Sequence, residues 1–367
     1  LMISYKTVRF FVNEYWAMAI IFFLYCDFSA PYWIGFMPEV YALPFISLAL
    51  CFLTGYYINK EVGRVQLLLV GFSIGACFWL KQTIAFVPGA ILGFILLDLL
   101  FHKDFRRFRN YCLYSVCGFL LISAPILLWL QINHALLAMW EDYFAFNFLY
   151  VGDTDWHGRL GALKHLSNRS GIIIPLVISA LYCLFQIIRK REFRYSKAFW
   201  HGAISYGVFH VLNAMAGRPF EHYIIPLYPL GILLVGLLIP YFQETVERKW
   251  FIRGTAAAGI LLIAFAVIPN AKIMVGTIPF NWNGSKNNNR IVSYIQSNTE
   301  PDDVIAIGSA DHAGYYLASG RESATTYPYI QASFFWTDSR MKDYWGQIES
   351  AMPKVFAWRD NVPMNET

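Results

Sequence analysis

The amino-acid sequence predicts an all-α polytopic membrane protein, with about nine transmembrane helices of roughly 20 residues each and a small C-terminal external α/β domain. Three observations predict it. Of the 367 residues, 57 % are apolar and only 14 % charged, against about 25 % charged in an ordinary soluble domain, so a water-soluble globule of this size has too little polar side chain to cover it. Aromatic residues reach 18 %, a level suited to helices anchored at lipid interfaces by Trp and Tyr. The balance then changes late in the chain: residues 1–280 carry 22 basic and 14 acidic side chains, and residues 281–367 carry 7 and 10. Intrinsic disorder, a collagen-like fibre and a disulfide-stapled miniprotein are excluded. The net charge of +5 reads as a topology signal, with no implication of a nucleic-acid partner.

Apolar runs near the length needed to cross a bilayer fall at about 11–30, 38–58, 64–80, 82–101, 111–131, 171–189, 198–216, 222–243 and 254–275. Helices are the economical choice, because backbone polar groups in lipid must be bonded within the segment and the runs lack the alternation of a barrel strand. Taking alternate loops as one side gathers sixteen Lys and Arg there and leaves six on the other, up to residue 280. Short cytoplasmic loops retain positive charge. The chain therefore reads as a multi-pass protein of the cell (inner or plasma) membrane, its first residues cytoplasmic and its C-terminal domain external or periplasmic. All six cysteines lie in or beside apolar runs, as small hydrophobes do, and imply neither a disulfide framework nor a CxxC metal site.

Two stretches depart from short connections. The external segment 132–170 spaces its apolar positions helically between polar ones and reads as one or two amphipathic helices on the membrane surface. In the tail 281–367, NNNRIVSYIQSN, HAGYYLASG and DYWGQIESAM read as helices, and DDVIAIG and PKVFAW as strands.

Ionisable groups at membrane depth are costly and default to a functional hypothesis. Lys81, in CFWLKQTIAFVPG, sits at the external edge between two apolar runs with no room for a solvated loop. It reads either as a compact charge holding a phosphate or as a lysine snorkelling at a helix end. Arg218, Glu221, His222 and Tyr223 crowd the approach to a late helix in GRPFEHYIIPLYP. Arg offers a planar fork to phosphate oxygens and His a second donor; an Arg218–Glu221 pair at helical spacing is the structural alternative. Pro226 and Pro229 are expected to bend the helix after them. In VGDTDWHGR, Asp153, Asp155 and His157 admit a divalent cation or a sugar, though two carboxylates are few for a hard cation; no metal or other cofactor is assigned. Glu39 opens the second long helix, where a carboxylate is favoured by the helix dipole alone. His134, His165, His201, His210 and His312 have no partner assignable from sequence.

PEVYALPFISLAL, WLKQTIAFVPGAILGF, GRPFEHYIIPLYP and DDVIAIGSADHAGYYLASGRESATTYPY, in this order and spacing, together resemble the GT-C membrane glycosyltransferases. The closest branch is similar to the protein O-mannosyltransferases and the bacterial aminoarabinose transferase of lipid A. The resemblance implies a hexosyl- or pentosyltransferase that moves a sugar from a polyprenyl-phosphate carrier to a lipid, glycan or protein acceptor on the external face. It assigns Lys81, Arg218, His222 and Tyr223 to the carrier phosphate, and matches Glu39 to the acidic start of a family helix. Family members take their catalytic base from an acidic first external loop. No match to that loop occurs here, and the chain opens on Leu1 without a signal-peptide pattern, so the resemblance places the base upstream of Leu1. Glu39, Asp153 and Asp155 are the remaining candidate acids within the chain.

Two other classes stand beside this reading. A polysaccharide polymerase or ligase also uses many helices but needs no α/β domain after the last of them. A lipid-linked sugar transporter or flippase is often built from repeated halves, and no internal repeat is visible.

Overall fold

The computed structural model describes residues 1–28, 37–59, 61–145, 147–148, 155–169, 180–181, 184, 195–217, 220–262, 282–308, 314–327 and 338–358. The chain divides into two compact units, Leu1–Met274 and Val275–Thr367.

The first unit is helical throughout its described residues: α1 (Met2–Val8), α2 (Glu14–Phe28), α3 (Pro38–Asn59), α4 (Arg64–Leu80), a 3-10 turn (Gln82–Ala85), α5 (Phe86–Phe101), α6 (Phe105–Ile132), α7 (Leu136–Met139), a π-helical turn (Trp140–Ala145), α8 (Trp156–Arg169), α9 (Ser196–Met215), a 3-10 segment (Glu221–Leu227), α10 (Tyr228–Thr245) and α11 (Arg248–Leu262). Among the described residues four helical stretches are long and apolar enough to cross a membrane: Pro38–Asn59, Gln82–Phe101, Phe105–Ile132 and Glu221–Glu244. The 17 residues of α4 extend about 26 Å at 1.5 Å per residue, a little short of the roughly 30 Å hydrocarbon core. The expected run 171–189 lies almost wholly outside the described residues, as does the part of the run 254–275 from residue 263 on.

Burial sorts these helices into centre and periphery. In Glu221–Glu244, 83 % of the apolar window is buried, against 17 % in Phe105–Ile132. The late helix is therefore the centre of the core, where Leu230, Leu234 and Leu237 are fully buried. By contrast α6 presents Leu113, Leu120, Leu121, Leu128, Trp129 and Ile132 outward, an apolar surface that water does not tolerate over so long a helix. This is how a helical membrane protein meets lipid.

The closest helix pairing is α4 on α6, and small residues make it so. A Cβ at Gly71 would lie 1.9 Å from the Ser115 carbonyl oxygen, and one at Gly118 would lie 1.9 Å from that of Leu68. Gly71 and Gly75 form a GxxxG spacing, the arrangement that lets backbones approach where packing, rather than exclusion of water, drives association. The sequence predicts no element over the first ten residues. They form α1, whose Val8 packs against Gly236 of α10 and whose Ser4 hydroxyl meets that of Ser47 on α3 at 3.1 Å.

The second unit holds α12 (Trp282–Asn298), β1 (Val304–Gly308), α13 (Gly314–Ser319), β2 (Glu322–Ser323), α14 (Asp338–Ala351) and β3 (Val355–Trp358). Its three strands are parallel in the order β2-β1-β3, with Ile305 opposite Ser323 on one side and Val355 on the other. The central strand is apolar on both faces, as a covered parallel strand must be: Ile305, Ala306 and Ile307 are buried, and the two isoleucines pack with Ile295 and Tyr315. Gly320, at φ +67°, ends α13 in the left-handed conformation that glycine adopts without strain. Arg321 then binds Thr299 after α12, its Nε donating to Oγ1 at 2.8 Å and its Nη2 to the carbonyl at 2.9 Å. The two-residue β2 carries no apolar alternation, and the sequence predicts no strand there.

Candidate functional site

The site forms where the start of α3, the break after α4 and the 3-10 segment before α10 come together. Pro38 occupies the first position of α3, where its missing N–H costs nothing, and Glu39 follows it in the first turn. The packing of α3 on α4 and on the Glu221–Leu227 segment buries Glu39 almost completely, at 1 % exposure.

Lys81 sits in extended backbone between the end of α4 and the 3-10 turn. That break directs its side chain back across the helix ends, where Nζ donates to Glu39 Oε1 at 2.6 Å. The same ammonium lies 3.9 Å from the centroid of the Tyr223 ring, a cation–π contact strengthened by partial desolvation. His222 Nε2 stands 3.9 Å from the same Glu39 oxygen. Phe220 stacks on the imidazole at 5.5 Å, and Tyr223 meets it edge-on at 4.8 Å. Asn213 of α9 fixes the segment from behind, its amide donating to the Tyr223 carbonyl at 2.8 Å. Pro226 lies within this 3-10 segment and Pro229 in the first turn of α10, so the prolines set a 3-10-to-α transition rather than a bend within a continuous helix.

Two polar atoms at the centre stay open: Glu39 Oε2 and His222 Nδ1 are buried without a hydrogen-bond partner among the described residues. Buried polar atoms are nearly always satisfied, so both call for a partner that the described residues do not supply.

Four of the residues nominated from the sequence thus meet in one place: Glu39, Lys81, His222 and Tyr223. Arg218 and Asp153 lie outside the described residues. Asp155 is not part of the cluster; its carboxylate accepts from the Gly158 backbone at 2.7 Å and caps the start of α8, the usual work of Asp in that position. His165, on α8, approaches Glu221 at 3.8 Å, and His210 accepts or donates to Ser167 at 2.9 Å.

An aromatic brace adjoins Lys81. The Gln82 side-chain amide donates to the Tyr143 carbonyl, and the Tyr143 hydroxyl donates to the Phe78 carbonyl. Tyr143 stacks on Trp79, whose Nε1 donates to Ser123 at 2.9 Å. Burial pushes the Tyr143 phenol up, so it remains a donor across the physiological range. The residues that supply this brace from 140–145 form a π-helical turn, a distortion that often re-aims side chains at functional sites.

A second polar cluster is one that sequence reasoning missed. Asp98, near the end of α5, accepts from Lys197 Nζ at 2.7 Å and from the Tyr56 hydroxyl at 2.6 Å. Beside it the Tyr57 hydroxyl meets His201 Nδ1 at 2.9 Å, and His201 stacks on Phe94 at 4.7 Å. The available signal was a lone acid in the apolar run ILLDLLF, which is a functional or structural hypothesis by default at membrane depth. Comparison with protein-family models, curated proteins and solved structures returned no match.

Proposed function

We propose that the chain is an integral membrane glycosyltransferase that moves a sugar from a polyprenyl-phosphate carrier to an acceptor on the external face. The observation that carries this reading is the meeting of Lys81, His222 and Tyr223 around Glu39. Residues far apart in the chain converge on a partly exposed ammonium at the mouth of a helical bundle, with open polar atoms behind it. In this reading that end of the bundle faces outward, and the basic loops face the cytoplasm.

Lys81 and Arg218 hold the carrier phosphate, His222 and Tyr223 line the same site, and Glu39 orients Lys81. Transfer is a displacement at the anomeric carbon. The bond from that carbon to the phosphate oxygen breaks with its electron pair leaving on the phosphate, a bond to the acceptor oxygen forms, and an acidic residue takes the acceptor proton. Negative charge grows on the departing phosphate, so a fixed ammonium and guanidinium in a water-poor site contribute more there than in bulk solvent.

Membranes containing the protein, incubated with a radiolabelled polyprenyl-phosphate sugar, should pass label to an acceptor fraction. Lys81→Ala and Arg218→Ala should each lower turnover by roughly one to three orders of magnitude, the range for losing one oriented electrostatic partner. Undiminished transfer after both substitutions would remove these residues from the mechanism. A second reading, a lipid-linked sugar transporter, is favoured by one observation: ion pairs between segments lie near both ends of α5, Glu39–Lys81 before its start and Asp98–Lys197 near its end. Flux of labelled carrier without a covalent product would select it.

A further inference from the structure

Glu39, Lys81 and His222 are arranged to exchange partners, an exchange that rests on Lys81 being the phosphate-binding cation of the proposed transferase. Lys81 is the outermost of the three. Its side chain is 32 % exposed, against 14 % for His222 and 2 % for Glu39. It is also already engaged, donating to Glu39 at 2.6 Å and lying over the Tyr223 ring. A phosphate that reaches the ammonium therefore competes with a carboxylate that holds it first.

Drawing Nζ toward the phosphate leaves Glu39 buried with its charge unopposed, the strongly unfavourable state created when one partner of a buried pair departs. Its Oε2 has no donor among the described residues to soften that. One group stands ready to restore neutrality. His222 Nε2 is 3.9 Å from the oxygen that Lys81 occupies, beyond a hydrogen bond and within reach of a small ring rotation. Its Nδ1 is unpartnered among the described residues, so a proton there breaks no hydrogen bond made by them. An imidazole that gains a proton becomes a donor at both nitrogens.

We infer that anion binding at Lys81 is coupled to uptake of one proton by His222, which replaces the ammonium as the partner of Glu39. No bond between heavy atoms changes. The ammonium passes from carboxylate to phosphate, one solvent proton arrives on the imidazole, and the charge around Glu39 remains balanced. The groups acting on His222 are Glu39 from α3 and Lys81 from the break after α4, with the Tyr223 ring beside it. From α8, His165 approaches Glu221. From α9, Asn213 is uncharged and bonded to the Tyr223 carbonyl, and His210 is bonded to Ser167. The ligand class is a phosphate anion, borne by a lipid carrier or free in solution.

Calorimetric titration of the full chain in lipid nanodiscs, in buffers of differing ionisation enthalpy, tests the coupling. The two ligands are a short-chain polyprenyl monophosphate and inorganic phosphate. Between about pH 8 and about pH 9 either ligand is mostly a dianion in solution and could itself take a proton on binding, so the comparison with His222→Gln assigns the proton to the protein or to the ligand. The expected result is close to one proton bound per phosphate, with affinity falling by up to about tenfold per pH unit. Both ligands should behave so if the phosphate alone suffices, and the polyprenyl ligand only if the lipid must deliver it. His222→Gln keeps an amide donor and cannot titrate, and its binding should lose the pH dependence. Wild-type binding without proton uptake overturns the exchange and leaves phosphate binding at Lys81 standing; uptake that persists in His222→Gln overturns the role of His222. Failure of both ligands to bind at any pH removes phosphate binding and the exchange with it. Should the variant not fold, the wild-type titration is repeated with inorganic sulfate, an anion that takes up no proton in this range: uptake of one proton on sulfate binding supports the exchange, and sulfate binding without uptake overturns it.

Discussion

Glu39 shows at the scale of one residue how a charge becomes part of a fold. Its carboxylate is nearly fully buried and bonded to Lys81, so the pair is one electrostatic unit. Removing only the cation, as in Lys81→Met, leaves an unopposed buried charge and should destabilise the protein by about 3–5 kcal/mol. Glu39→Gln combined with Lys81→Met removes both charges and should recover most of that loss. Thermal unfolding of the three proteins in one detergent checks this, and a double variant as unstable as Lys81→Met would show that the ammonium contributes through something other than Glu39. The comparison also separates stability from turnover in any activity assay on Lys81.

Among elements, α4 and α6 carry the sharpest constraint. The side chain at 118 faces backbone rather than a flexible neighbour, since Leu68 O and Phe72 N border it within 3 Å. Gly118→Leu cannot be absorbed by a rotamer change, and overpacking of this kind costs more than the usual 1–3 kcal/mol because backbone must move. Gly93 has nothing within 4 Å of its added Cβ, so Gly93→Ala is the control and should fold normally, with the small gain that replacing a helical glycine brings. Retained yield and melting temperature in Gly118→Leu, measured by fluorescence-detected size exclusion, would contradict the close α4–α6 packing. Because α4 ends at Lys81, the same substitution should also weaken phosphate binding at the site.

At the scale of the whole molecule, the exposed apolar face of α6 and the sixteen-to-six division of basic residues set a topology prediction. In a cysteine-free background, a cysteine at Lys103 should resist a membrane-impermeant maleimide added to intact cells, and one at Glu349 should react. The opposite pattern would reverse the orientation and put the Lys81 cluster on the cytoplasmic side. Among the described residues most long helices coincide with the apolar runs, which have few alternatives in lipid, and Pro38 and Gly320 mark limits that the sequence shows; α6 instead begins at Phe105, capped by Asp104, ahead of the run expected from about 111. The strand and helix order of the second unit was readable for the same local reasons, except β2, whose two residues join the sheet only because β1 offers them a free edge.

The site was readable as a set of residue types and not as an arrangement. Charges at membrane depth drew notice to Lys81 and His222 without any neighbour to confirm them. Composition and spacing settle where a chain must be apolar and where it must turn, since those depend on contacts within a few residues. Which carboxylate neutralises Lys81, which aromatic ring covers it, and that Asp98 belongs to Lys197 and Tyr56 depend on helices that meet across the bundle. Burial makes those pairings obligatory, and burial exists only once the helices have packed.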